Sequence, residues 1–329
     1  MTTTPVSSST TSLSRPGLAH GILHCNLNTT GVAAAHDFYA GVLGLTRRMR
    51  SRNPQADGAA LGIEGTTDTD TWFLYDARGP RVAAAVELVQ WDSPPVRRRP
   101  APQPWQLGLS AMGFQVPDVS ACEDRLTYLA HPGPMGPGTL PVRGQQPRGL
   151  RVTDLDGVTV ELVEAARGVT APARPRLSHL RINCTDIQRS LEWYAGLGFT
   201  TVAPPARRRL RGVEAVPTGE VEVSTASIGL RQDPTFTLEL VQWHRPAAFG
   251  TVPDQANTQG LYRIALASAD VTAAHVALSQ LPDGQRGEPL WIPLVGTKLG
   301  GLTVLFLRDP DGVVVELVER PASALAERG

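Results

Sequence analysis

The sequence predicts an α+β protein of four β-α-β-β-β modules, two in each half of the chain. Two observations predict it. The run Asp154–Glu164, DLDGVTVELVE, returns about half a chain length later as Asp309–Glu319, DPDGVVVELVE. The same order of strand-like and helix-like patterns also occurs before each copy, so the chain is an internal duplication.

The duplication extends well beyond that run. HCNLN at His24–Asn28 matches HLRIN at His179–Asn183, and FYAG at Phe38–Gly41 matches WYAG at Trp193–Gly196. VELVQW at Val86–Trp91 matches LELVQW at Leu238–Trp243, and QVPDV at Gln115–Val119 matches SADV at Ser268–Val271.

Each element has a local reason. Met1–Gly17 is rich in Ser, Thr and Pro and is expected to be disordered. Leu18–Asn28 reads as a strand. Ala33–Leu43 carries Ala, Phe, Tyr and Leu at helical spacing and stops at Gly44, a suitable C-cap. Thr71–Tyr75 and Arg81–Trp91 are strand-like, and the Pro/Arg-rich Asp92–Pro104 cannot sit inside a sheet. Leu109–Val116 is a strand, Val119–Leu129 a helix, and Leu150–Val163 holds the closing strands around an Asp-Gly turn.

The second half repeats this order. Strand Leu177–Cys184 is followed by helix Ile187–Gly196, then by strands near Glu220–Gly229 and Thr235–Trp243. Strand Tyr262–Ala267, helix Val271–Leu281 and the last strands within Leu290–Val318 complete it. The expected division is a tail at 1–17, domains at 18–166 and 177–320, a linker at 167–176 and a C-terminal tail at 321–329.

Composition narrows function by exclusion. Lys+Arg and Asp+Glu both number 31, so no net field favours nucleic acid or an anionic membrane. The short basic runs Arg97–Arg99 and Arg207–Arg209 lie beside prolines, lack interleaved aromatics, and read as solvated loops. Cys25, Cys122 and Cys184 form no pairing pattern, and no leader or membrane-length apolar run is present. The expected setting is cytoplasmic and reducing, with Cys25 and Cys184 as small core residues.

The duplicated strands place acids where apolar residues would be easier to bury. Glu161 shares a strand face with Thr159 and Val163, and Glu316 with Val314 and Val318. A buried carboxylate is costly unless a cation or hydrogen-bond donor meets it. Asn26 and Asn28 share the face of His24, while Arg181 and Asn183 share that of His179, which suggests a polar concave interior. Trp91 and Trp243, in phase with Glu87 and Glu239, are candidate flat walls for a ring-bearing ligand, or else close sheet edges.

From about Leu18 to Arg320 the chain resembles the vicinal oxygen chelate superfamily, the glyoxalase/bleomycin-resistance/dioxygenase group. The resemblance rests on the first-strand histidine, the FYAGVLGL or WYAGLGF helix end, the LEL strand, the VPDV strand end and the closing DPDG and EL, in shared order and twice over. It implies two tandem glyoxalase-like domains, with curled mixed or antiparallel sheets forming cups, often around a divalent metal.

Carried over residue by residue, the first half offers His24, Glu87 and Glu161 as metal ligands, with Ala111 at the fifth-strand position as an open place for water or substrate. The second half offers the weaker set His179, Glu239 and Glu316, with Arg263 at the corresponding position. Arg263 is a permanent cation that could pair with Glu239 or Glu316 in place of an ion. If the modules pair across halves, the sets become His24, Glu87, Arg263, Glu316 and Ala111, Glu161, His179, Glu239. The sequence leaves that choice open.

The cofactor expectation is one divalent ion, Mn, Mg, Ni, Co, Zn or Fe, or else none. The leading functional expectation is an isomerase, epimerase or lyase that passes a small oxygenated metabolite through an enolate, with Glu161 or Glu87 moving the proton. Asn26, Asn28, Trp91, Arg181, Asn183, Trp243 and Arg263 are its candidate substrate contacts. The alternative is a metal-free protein that sequesters a small molecule. The third expectation, a ring-cleaving dioxygenase, needs a second histidine that neither half supplies at the family position. The expected partner is a small molecule, without nucleic acid or membrane, for a monomer or homodimer.

Overall fold

The computed structural model describes residues 17–131, 134–165, 170–211, 219–279 and 287–325. Of the expected tail at 1–17, all but Gly17 lies outside the described residues.

The first half contains β1 (Gly21–Thr29), α1 (Val32–Leu43), β2 (Thr46–Asp57), β3 (Thr66–Tyr75), β4 (Ala85–Ser93), β5 (Gly108–Val116), α2 (Val119–Tyr128), β6 (Pro134–Pro137), β7 (Gly149–Thr153) and β8 (Thr159–Glu164). The second contains β9 (Arg176–Cys184), α3 (Ile187–Leu197), β10 (Thr200–Arg211), β11 (Glu220–Leu230), β12 (Asp233–Arg245), β13 (Gly260–Ser268), α4 (Val271–Leu278), β14 (Leu290–Leu294), β15 (Gly300–Arg308) and β16 (Val314–Glu319).

Two eight-stranded mixed sheets result, and each is shared between the halves. The first runs β14-β15-β16-β13-β1-β4-β3-β2, and the second runs β10-β11-β12-β9-β5-β8-β7-β6. The seams are antiparallel: β1 on β13 and β9 on β5. The repeat boundaries at 18–166 and 177–320 therefore do not bound the sheets. Each cup takes the first module of one half and the second module of the other.

Alternation along the strands separates core from cup. Cys25, Leu27, Val86, Leu88, Ile264 and Leu266 face a core that also takes Met112, Leu162 and Ile182 of the second sheet and buried residues of all four helices. His24, Glu87, Arg263 and Glu316 face the other way, into the concave side of the first sheet. The cysteines are free and buried, as expected of small core residues.

The repeated motifs explain how this assembly is held. Asp154 Oδ1 accepts from the amides of Asp156 and Val158, which closes the turn, and its Oδ2 accepts from the Tyr39 hydroxyl at 2.8 Å. Asp309 repeats this with Asp311, Val313 and Tyr194. Each Tyr–Asp bond ties the helix that follows the first strand of one sheet's module to a strand-connecting turn of the other sheet. Gln90 and Gln242, inside the LVQW motifs, accept from the first amides of α1 and α3. Asp118, Asp186 and Asp270 cap the starts of α2, α3 and α4 in the usual N-cap manner.

One segment differs from the sequence reading and another was left unassigned by it. β10 and β2 are long strands, although β10 is rich in Arg and Pro and β2 in Arg. Both are edge strands, where prolines cost no ladder bond and charged side chains remain in water. Arg207 and Arg209 thus lie on strand β10 rather than in a loop, and both lie within ion-pair distance of Glu222. Among the described residues, no helix is long and apolar enough to cross a membrane.

Candidate functional site

The first sheet encloses a cavity of about 730 Å³. Its walls are largely apolar, with Leu23, Phe73, Val89, Trp91, Ile292 and Phe306 among them. Its floor is a four-residue ionic cluster drawn from four adjacent strands. Arg263 Nε donates to Glu316 Oε2 at 2.8 Å, and Arg263 Nη2 donates to Glu87 Oε2 at 3.0 Å and Oε1 at 3.1 Å. Asn26 Nδ2 also donates to Glu87 Oε2 at 3.0 Å. His24 Nε2 lies 3.3 Å from Glu87 and 3.4 Å from Glu316, yet neither contact is aligned as a hydrogen bond.

The electrostatics follow from one cation between two acids. Burial pushes the Glu316 carboxyl upward, but the Arg263 guanidinium and the His24 ring together outweigh it and hold the group at about 2. Burial likewise works against the charged form of Arg263, while Glu87 and Glu316 carry it above its ordinary value. Arg263 and Glu316 therefore hold each other in the charged form despite burial, with one guanidinium serving two carboxylates.

The donor set does not fit a divalent ion. Glu87 Oε2 already accepts from Asn26 and Arg263, which occupies both of its lone pairs. Glu316 Oε2 accepts from the same guanidinium, so any ion shared by His24, Glu87 and Glu316 would sit against a fixed positive charge. Among the described residues, no group of three or more His, Cys, Asp or Glu is arranged to hold a metal.

The second sheet brings together Glu161, His179, Arg181 and Glu239, but its cup is filled. Arg181 Nη2 donates to Glu161 Oε2 at 2.6 Å, and His179 Nε2 lies 3.1 Å from the same oxygen. Burial opposes ionisation of Glu161, but Arg181 and His179 overcome it and hold the carboxyl well below the usual carboxylate range. The segment 138–147 plugs the concavity. The carbonyls of Leu140 and Pro141 accept from Arg181, and the Arg143 amide donates to both oxygens of Glu239. Ser227 and Thr237 satisfy Glu239 further. Gly113 is required here, because a Cβ at that position would lie 1.9 Å from the His179 ring.

The expected triad His24, Glu87, Glu161 is thus not formed. Glu161 belongs to the second sheet because β8 pairs with β5, and β5 pairs with β9 across the halves. Glu316 takes its place beside His24. Nor is His179, Glu239, Glu316 assembled, since Glu316 has left for the first sheet. Ala111 is buried opposite Arg181, in the plugged cup, and offers no open position beside His24.

Several expected substrate contacts are structural. Asn28 accepts from the Trp91 indole and donates to the carbonyls of Ala256 and Thr258. Asn183 does the same with Trp243, Pro104 and Gln106. Arg181 is only 2% exposed and locked on Glu161, and Trp243 packs in a closed apolar cluster. Asn26 orients Glu87. Trp91 and Arg263 do line the open cup. Lys298, singled out in the sequence as a possible substrate contact without a motif behind it, lines the cup, whereas the sequence reading missed Arg48 and Arg320; their signal is weak, because they fall on an edge strand and just after a strand end.

The sequence matches no protein-family model and no curated protein. The three-dimensional structure is similar to glyoxalase I from Zea mays, at 19% identity over 92% of each chain with a TM-score of 0.63. It is also similar to a candidate dioxygenase from Bacillus subtilis, at 14% identity over 92% of this chain and 86% of that one, with a TM-score of 0.59. The fold is shared; at these identities the chemistry does not follow from it.

Proposed function

We propose that this chain, which has the paired βαβββ fold of the vicinal oxygen chelate superfamily, binds a small organic molecule in the cup of its first sheet without a metal ion. One observation carries the reading: the Arg263 guanidinium bridges Glu87 and Glu316 on the floor of an open, apolar-walled cavity. The one cation contacts both buried acids, and the space above the floor remains free. Cavities of this size with a few convergent polar groups suit a compact organic ligand. The second cup has the same ancestry but is filled by 138–147, so one chain provides one site.

The test is titration with the neutral apolar dye N-phenyl-1-naphthylamine, with and without a strong chelator. Saturable binding unchanged by the chelator supports the reading. Binding that is lost on chelation and restored by a divalent ion sinks it.

A second reading, proton transfer on the bound ligand, is favoured by His24 Nε2, which is buried at the cup floor with no aligned hydrogen bond. An imidazole in that position can exchange a proton with an acidic carbon of the ligand while Arg263 steadies the negative charge that develops. Solvent-deuterium exchange into a bound carbonyl compound tests this. Exchange that survives in His24→Gln eliminates it.

A further inference from the structure

We infer that the ligand of the first cup is an organic anion: an apolar or aromatic body carrying one acidic group. This rests on the metal-free binding reading above and names the ligand class that it leaves open. The chain as a whole is balanced, with 31 basic and 31 acidic side chains. The cup is not. Arg48, Arg50, Arg263, Lys298 and Arg320 line it, against only Glu87 and Glu316.

Two of these cations are already matched. Arg263 is held between the floor acids, and Arg50 donates to both oxygens of Asp70. Arg48, Lys298 and Arg320 form no ion pair among the described residues. They come from three separate elements: β2, the turn between β14 and β15, and the residue after β16. Lys298 is the sole lysine of the chain. Arg48 and Lys298 are exposed and so sit at the rim, whereas Arg320 is half-buried with its Nε shut away from water and unpartnered.

A buried guanidinium nitrogen without an acceptor is costly, and an incoming carboxylate or sulfonate would supply one. Cations gathered at the mouth of a low-dielectric cavity also concentrate anions there. The floor sets the Arg263 guanidinium against Glu87 and Glu316, so the surplus positive charge of the cup lies with Arg48, Lys298 and Arg320 and acts on the outer end of the ligand while the apolar walls take its body. Neutral or cationic ligands would leave these three groups unanswered.

A matched pair of probes tests this: 8-anilinonaphthalene-1-sulfonate and N-phenyl-1-naphthylamine, which share an apolar body and differ by one negative charge. At low salt the sulfonate is expected to bind at least about tenfold more tightly, the effect of one additional ion pair near a protein surface. Lys298→Gln, Arg48→Gln and Arg320→Gln are each expected to reduce that preference about three- to tenfold, with the sulfonate's affinity falling more than that of the neutral dye. Raising the salt should narrow the gap. Equal affinity for the two dyes in the unaltered protein, or a preference that survives all three substitutions, overturns the inference while the cup reading stands. If neither dye binds, the cup reading fails and this inference falls with it.

Discussion

Arg263→Met removes the cation from the floor of the first cup while roughly keeping its volume, and its cost can be worked from the cluster. Glu87 and Glu316 would remain buried in their strands without the guanidinium that now contacts both. Breaking a buried ion pair by deleting one partner costs about 3–5 kcal/mol. The Glu316 carboxyl points the same way: Arg263 and His24 hold it at about 2, below its ordinary value, despite burial that pushes it up.

For a chain of 329 residues, an unfolding entropy of about 2.1 cal/mol/K per residue converts roughly 4 kcal/mol into a Tm drop of about 6 °C. The pH dependence has a definite sign. Because Glu316 is depressed in the folded protein, its contribution is present above about 4.5 and is lost as pH falls toward 2. In the variant, one floor acid must take up a proton to remain buried, so the variant gains relative to the parent on acidification. Thermal melting at pH 8 and pH 5 should show a deficit that is largest at pH 8. A deficit under about 1 kcal/mol, or one that is equal at both pH values, would refute the view that Arg263 neutralises this pair.

Other expectations follow from the same geometry. Tyr39→Phe and Tyr194→Phe each remove the donor to a buried Asp Oδ2 and should cost about 1–3 kcal/mol in urea unfolding. Burial pushes Asp154 up to about 7 and Asp309 up to about 6, so their contribution is greatest below about 4 and declines as pH rises through those values; Asp154→Asn should flatten that part of the stability profile. Gly113→Ala must displace the buried His179 ring and should destabilise by about 1–3 kcal/mol, while dye binding in the first cup of folded protein is unchanged. Burial pushes the Cys25 thiol upward and the Cys184 thiol to about 12, so both should resist a thiol reagent until the protein is unfolded.

Much of the architecture was legible because the motifs that repeat are the ones that build it. The Asp of each DxDG turn closes that turn through local amide bonds, while the Tyr of each YAG helix end and the Gln of each LVQW strand make long-range bonds that require those side chains, so each motif carries a fixed structural duty wherever it recurs. The site was less legible, for a topological reason. Pairing of β1 with β13 and β5 with β9 joins residues far apart in the chain and leaves no mark in either strand. The choice between His24 with Glu161 and His24 with Glu316 was therefore open, and either pairing would satisfy the alternation of the strands.

Asn28 and Asn183 were in phase with the histidines and so looked like ligand contacts, but phase shows only the face a residue occupies. Their amides are taken up by indoles and by carbonyls of the linking loops. The plug at 138–147 has the Gly, Pro and Arg content of many surface loops, and only the contacts of Arg143 with Glu239 and of Arg181 with the Leu140 and Pro141 carbonyls reveal its position. Arg263 was the one departure whose sequence signal pointed the right way, because a guanidinium cannot lose its charge and must find carboxylates when buried.

Elemental analysis of protein produced with Mn, Co, Ni and Zn supplied, and purified without chelator, tests the central claim most directly. With Arg263 bridging Glu87 and Glu316, every metal should fall far below one ion per chain, and the dye should still bind. One equivalent of any divalent ion, lost in His24→Ala, would contradict the account.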